Sequence, residues 1–357
     1  MTKGNVSKPN NLSIRLLNER LSLQLSLNAL FVFVALLFAT SVLMAFSLSI
    51  GSYDMALSNV WKIVMSPSMS DQMAMVVWEF RIPRILVAVF IGSMLALSGA
   101  LLQCVTRNSL ADPSLIGISQ GAGLAVVVIS ILLPEEASIW RPWAAFFGAI
   151  LVASLIQSLS WGQRGGSSIR FILIGVGIAA FISSVTSAFM TYGQIDRAMS
   201  AMTWLSGSMN LANWEQVRML SLAFVILLPL TLMLSRSLAT LQMGESTAVG
   251  LGVSTRFLRV FFISLAVGFA ALATAAVGPL GFVGLIAPHV ARRVARGGVG
   301  MNLLISAVVG AFIVTLADML GRNLFAPTQI PIGLVTAIIG VPFFVMLLLR
   351  TRIKGSY

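Results

Sequence analysis

Few side chains in this sequence could do chemistry, and they are widely spaced. The single histidine, His289, stands in "GPLGFVGLIAPHVARR" (278–293), after Pro288 and ahead of paired arginines. One histidine without neighbouring ligands does not make a zinc site, so no metal is expected. The single cysteine, Cys104, lies within an apolar run and forms no internal disulfide. Asp318 is the one acid placed inside an apolar run, and Arg322 follows it by four residues, the spacing of an ion pair on one helix face. That pairing makes it a poor proton relay, although a proton-coupled carrier would need such a group. The four lysines miss the phosphate-loop pattern, so any ATP must be bound by another subunit. No serine is read as an activated nucleophile, and the chain is read as a transport subunit with no catalytic residues.

These residues are set in a chain that is 58% hydrophobic and 10% charged, against roughly 25% charged in an average soluble domain. Runs of ~20 apolar residues, each able to cross a ~30 Å hydrocarbon core, recur throughout. The expected fold is an all-α polytopic membrane protein with about ten spans. They fall near 28–50, 85–105, 115–133, 143–160, 171–190, 217–235, 257–277, 282–291, 302–320 and 332–349. The eighth is too short to cross alone, so nine spans is the competing count. It requires an irregular lead-in at Gly278, Pro279 and Gly281, buried against other helices.

An even count puts both termini on one face. Sixteen of the 23 Lys and Arg fall on that face, which makes it cytoplasmic by the positive-inside rule. The net charge of +12 therefore orients the chain in a bilayer and gives no reason to invoke nucleic acid. The expected organisation is a cytoplasmic tail over 1–27, one transmembrane domain over 28–350 and a cytoplasmic tail over 351–357. In the first tail, "LSIRLLNERLSLQL" has leucines near helical spacing and could lie along the membrane surface or be a disordered tail.

Four loops carry the functional signal. In "RIPR" (81–84), Arg81 and Arg84 lie on the outer face with Pro83 in the first helical turn, and two outward cations either invite an acidic partner, snorkel to lipid headgroups or pair with Glu79. In "TRNSLADPSLIGISQGAG" (106–123), Asn108 and Asp112 close a tight turn and Pro113 starts the next span abruptly. "LATLQMGESTAVGLGV" (238–253) offers Met243, Ala248 and Leu251 as an apolar face beside Gly250 and Gly252, suited to a groove on another protein. The fourth loop is the histidine stretch, where His289 is read as a fastener bonding a backbone carbonyl while Pro288 bends the helix.

In chain order, "RIPR", "SGALLQ" (98–103), "RNSLADPSLIGISQGAG", "MGESTAVGLGV", "GPLGFVGLIAPHVAR", "ADMLGR" (317–322) and "PIGLVTAIIGVPFF" (331–344) resemble the permease subunits of bacterial iron-siderophore and vitamin B12 ABC importers. The resemblance spans about residues 75–350. It implies a ten-helix permease in the inner membrane, working as a dimer of two copies or with a paralogous permease. It also implies cytoplasmic ATPase subunits carrying ATP and Mg, and a periplasmic substrate-binding protein. Carried over by motif, Arg81, Arg84 and Arg322 dock the binding protein. Met243, Gly244, Glu245, Ala248, Leu251 and Gly252 couple to the ATPase, and Ser183, Ser184, Thr186, Ser187 and Thr191 of the fifth span line the pathway. These hydroxyls could instead bond back to helix carbonyls. Gln103, Asn108, Asp112, Pro113, Pro288 and His289 belong to the structural motifs. The chain has Ser109 where the family has proline. A ferric chelate is the expected cargo, with vitamin B12 and haem as alternatives.

Overall fold

The computed structural model describes residues 11–16, 21–50, 55–65, 72–133, 136–160, 168–295, 297–325 and 328–354. Residues 1–10, 17–20 and 355–357 of the tails, Arg164 and Arg296 of the inner-face basic set, and the side chain of Glu245 lie outside the described part.

The chain opens with an antiparallel hairpin of β1 (Asn11–Leu16) and β2 (Leu21–Ser26), in which Leu12 pairs with Leu25 and Leu16 with Leu21. This corrects the helical expectation for the tail. Leu12, Ile14 and Leu16, then Leu21, Leu23 and Leu25, alternate with polar residues, and a period of two belongs to a strand.

All other described elements are helical. They are α1 (Leu27–Ser49), α2 (Leu57–Met65), α3 (Gln72–Met75), a π-helical turn (Val76–Arg81), α4 (Ile82–Thr106) and α5 (Ile118–Leu132). Next come α6 (Ala137–Ser160), α7 (Ser168–Tyr192), α8 (Ile195–Leu205), α9 (Trp214–Met233), α10 (Ser235–Gln242) and α11 (Glu245–Gly250). The last four are α12 (Thr255–Val277), α13 (Val283–Val294), α14 (Val299–Asn323) and α15 (Ile332–Lys354). Among the described residues, eight helices are long and apolar enough to cross a bilayer. The expected third and eighth spans correspond to α5, of 15 residues, and α13, of 12 residues. At 1.5 Å per residue α13 covers only about 18 Å.

The second span is longer than expected because α3, the π turn and α4 run on continuously from Gln72. The π turn sits where Pro83 has no N–H to give, and Ile82 N–H bonds to Val77 O instead.

Helix α4 is the hub of the fold. A Cβ on Gly92 would stand 2.2 Å from Gly310 O in α14, and one on Gly99 would stand 1.9 Å from Gly284 O in α13. Only glycine permits such close backbone approach, as in other membrane helix pairs. Ser93 Oγ donates to Ala307 O at 3.1 Å and Ser98 Oγ to Ala266 O at 2.6 Å, tying α4 to α14 and α12. Around this core, Phe31, Phe38, Leu173, Phe181, Val225 and Ile338 are exposed, as suits helices facing lipid. The chain is a multi-pass membrane protein.

The break before α13 follows the sequence expectation. Gly278 has φ +83° and Phe282 has φ +69°, and Leu280 between them is buried. The 206–208 loop and the first turn of α15 cover it. Ser208 N–H donates to Val277 O at 2.8 Å, and a Cβ on Gly333 in α15 would stand 3.3 Å from Pro279 O. Irregular backbone at this depth is thus enclosed by protein.

Candidate functional site

At the N-terminal end of α4 the three docking candidates converge. Arg84 Nε and Nη2 both reach Asp318 Oδ1, at 2.9 and 2.8 Å, and its Nη1 donates to Gln329 Oε1 at 3.1 Å. Arg322 Nε lies 3.1 Å from Asp318 Oδ2, so the local pair read from the sequence is present, with a second arginine added. Arg322 Nη2 also donates to Ser47 Oγ at 2.6 Å, and Arg81 Nη1 donates to Leu48 O at 2.6 Å. Two cations, one from the π turn and one from α14, therefore serve the C-terminal turn of α1, which has no basic residue of its own there. Arg81 is only 6% exposed. Arg84 and Arg322 thus share the one carboxylate of Asp318, and all three arginines are bonded inward.

At the other end of α4, the turn toward α5 closes as expected. Asn108 Oδ1 accepts from Leu110 N–H at 2.9 Å, and Asp112 Oδ1 accepts from Ser114 N–H at 2.8 Å and from the Ser114 hydroxyl. Asp112 Oδ2 points at α13, 3.1 Å from where a Gly284 Cβ would be, beside Pro113 Cδ at 2.9 Å from the same point. A buried carboxylate at a helix N-terminus complements the helix dipole. Burial pushes the Asp112 carboxyl above the ordinary carboxylate range, partly offset by hydrogen bonds from Ser114 and the Leu285 backbone.

Gln103 joins this turn to α13. Its Nε2 reaches Ala111 O at 3.3 Å and Gly284 O at 3.2 Å, and its Oε1 accepts from Arg292 Nη2 at 2.6 Å. The sequence marked Gln103 as a motif residue and missed this role. The available signal was a lone amide closing an apolar span, which demands buried partners.

Among the described residues, the Nε2 of His289 does not make the expected bond to a backbone carbonyl. Its ring meets Phe343 of α15 edge-on at 5.7 Å, and Nε2 is buried with no hydrogen-bond partner among the described residues. Pro288 sits inside α13.

The coupling candidates fall on the joint between α10 and α11, on α11 itself and on the two residues that follow it. Gly244 has φ +115°, a conformation that side chains strain to adopt. Met243 and Leu251 are exposed, whereas Ala248 is fully buried. The exposed apolar residues of this segment are therefore Met243, Val249 and Leu251. Ala248 was misplaced because a six-residue helix must turn one small residue inward to pack on its own protein. Gly252 follows at φ +75° with open space around it.

In α7, Ser184, Thr186 and Thr191 bond back to Ala180 O, Ile182 O and Ser187 O at 2.8 to 3.0 Å. Ser183 and Ser187 are exposed.

One spacing escaped the sequence reading. Residues 117–121 read Gly-Ile-Ser-Gln-Gly, the Gly-x-Ser-x-Gly pattern of hydrolase elbows. Ser119 is buried in the first turn of α5, which follows a turn and no strand, so the elbow's strand-to-helix geometry is missing.

Residues 36–350 match the model of the FecCD transport family. The chain is 38% identical over 284 residues to the probable siderophore transport system permease protein YfhA of Bacillus subtilis (strain 168), covering 78% of this chain and 82% of that one. It is 39% identical over 285 residues to the iron(3+)-hydroxamate import system permease protein FhuG of the same organism, covering 78% and 84%. A solved inward-facing ABC transporter of metal-chelate type superposes with a TM-score of 0.79 at 28% identity, over 90% of this chain and 99% of that chain.

Proposed function

Because the chain belongs to the FecCD transport family, we propose that it is the membrane-spanning permease subunit of an ATP-driven importer carrying a ferric-siderophore chelate across the bacterial inner membrane into the cytoplasm. ATP hydrolysis falls to separate ATPase subunits, which bring ATP and Mg. The relatives named for siderophore and hydroxamate transport support an iron chelate over vitamin B12 or haem. The basic-residue bias supports cytoplasmic termini.

The observation that carries the reading is the α10–α11 segment. It presents Met243, Val249 and Leu251 to the outside on a short helix held by Gly244, which is what a groove on a soluble ATPase takes up. At the opposite end of α4, the arginine cluster of Arg81, Arg84 and Arg322 suits acidic residues on a periplasmic binding protein. A second permease copy, or a paralogous permease, completes the pathway. The hydroxyl-bearing face of α7, with Ser183, Ser184, Thr186, Ser187 and Thr191, supplies a weakly polar lining past which a chelate slides. A proton-coupled carrier is disfavoured because Asp318, its candidate relay, is held between two arginines.

The test is co-purification of the tagged chain in mild detergent. Wild type should bring down ATPase activity, and a variant with Gly244→Val and Glu245→Ala should lose it. A wild-type eluate with no ATPase, or equal retention by the variant, contradicts the reading.

A further inference from the structure

Pro288 stands four residues after Gly284 in α13. Having no N–H, it cannot satisfy the Gly284 carbonyl within the helix. The missing donor comes from α4, where Gln103 Nε2 lies 3.2 Å from Gly284 O. The carboxamide is fully used, with two N–H groups facing carbonyls and its oxygen facing Arg292. Arg292 can only donate and the carbonyls only accept, so no other orientation of the amide satisfies all three.

The same end of α4 holds the coupling segment. Gln242 Nε2 of α10 donates to Cys104 Sγ at 2.7 Å, and a Cβ on Gly244 would stand 3.6 Å from Arg107 Nη1. Beyond Gly284, α13 leads back to the Gly278–Phe282 break. It also bears on α15 through His289 against Phe343, and through Phe282 packed on Gly340. The coupling segment thus reaches the broken region through α4, and Gln103 is where α4 grips α13.

We propose that Gln103 is the joint that passes displacement of the α10–α11 segment to α13, acting as a positioning residue in the transport cycle. A side-chain amide replacing a helix hydrogen bond keeps α13 attached to α4 while its first turn pivots at Pro288. The inference rests on the importer reading above.

The experiment reconstitutes the chain with its ATPase and binding protein in proteoliposomes. It measures ferric hydroxamate or ferric citrate taken up per ATP hydrolysed. Gln103→Leu should keep the ATPase bound at wild-type stoichiometry, with hydrolysis within about 2-fold, while uptake per ATP falls by about 10-fold. The double variant Gln103→Leu/Pro288→Ala gives Gly284 O a backbone N–H again. It should recover thermal stability without recovering uptake per ATP. Normal uptake per ATP in Gln103→Leu overturns the joint, as does full recovery of uptake in the double variant, which would make Gln103 merely structural. If wild type retains no ATPase and takes up no chelate, the importer reading fails and takes the joint with it.

Discussion

Arg84 and Asp318, 234 residues apart in sequence, meet through two nitrogens on one carboxylate oxygen, at 2.9 and 2.8 Å. Asp318 is 2% exposed and also pairs with Arg322. Asp318→Asn therefore leaves two largely buried arginines uncompensated, and removing one partner of a buried pair costs about 3 kcal/mol. Thermal unfolding in detergent should show a clear drop in midpoint, partly recovered by adding Arg322→Gln. An unchanged midpoint would mean that the cluster does not hold α1, α4 and α14 together.

The docking role separates the three arginines. Arg81 is buried on the end of α1, so Arg81→Gln should lower the amount of folded protein in the membrane. Arg84→Gln, which removes charge from the more exposed partner, should weaken binding-protein affinity by about 5-fold at low salt, with the difference shrinking as salt rises. Titrating the binding protein onto the chain in nanodiscs at two ionic strengths checks this.

Eight of the expected spans could be read from apolar run length alone, and the break before α13 from Gly278 and Pro279, because both are local properties. Tertiary pairings could not. Arg322 was visible as a partner of Asp318 four residues away, whereas Arg84 was not. Pro288 announced a carbonyl without a donor, but only the folded chain brings Gln103 of α4 to it. The N-terminal hairpin was missed for a different reason, since its leucines satisfy a helical spacing loosely and a strand spacing strictly. Ala248 was placed on the wrong side because six residues are too few for periodicity to fix a face.

Asp112 gives a pH dependence. Its folded-state value is raised by burial, so the contribution of this residue to stability is fully present below the ordinary carboxylate range. It is lost as pH rises through the raised folded value. The midpoint of wild type relative to Asp112→Asn should therefore increase on acidification across that window and level off below it. A difference that does not vary with pH would show that the carboxyl titrates as in the unfolded chain.

The α7 lining can be tested by thiol labelling, since the one native cysteine, Cys104, is buried. Cysteine at Ser183 or Ser187 should react with a membrane-impermeant maleimide in the assembled complex about 10-fold faster than the Cys104 background, in proportion to its exposed thiolate. A chelate in transit should slow that reaction. Labelling no faster than the background would remove these positions from the pathway.

The central claim is ATP-driven import of a ferric chelate through this chain. The most direct measurement is uptake of radiolabelled ferric hydroxamate into proteoliposomes holding the permease, its ATPase and its binding protein, with and without ATP and with or without a proton gradient. Uptake that requires ATP, ignores the gradient and is abolished by Gly244→Val is the predicted result. Uptake that follows the proton gradient without ATP and is abolished by Asp318→Asn would contradict it.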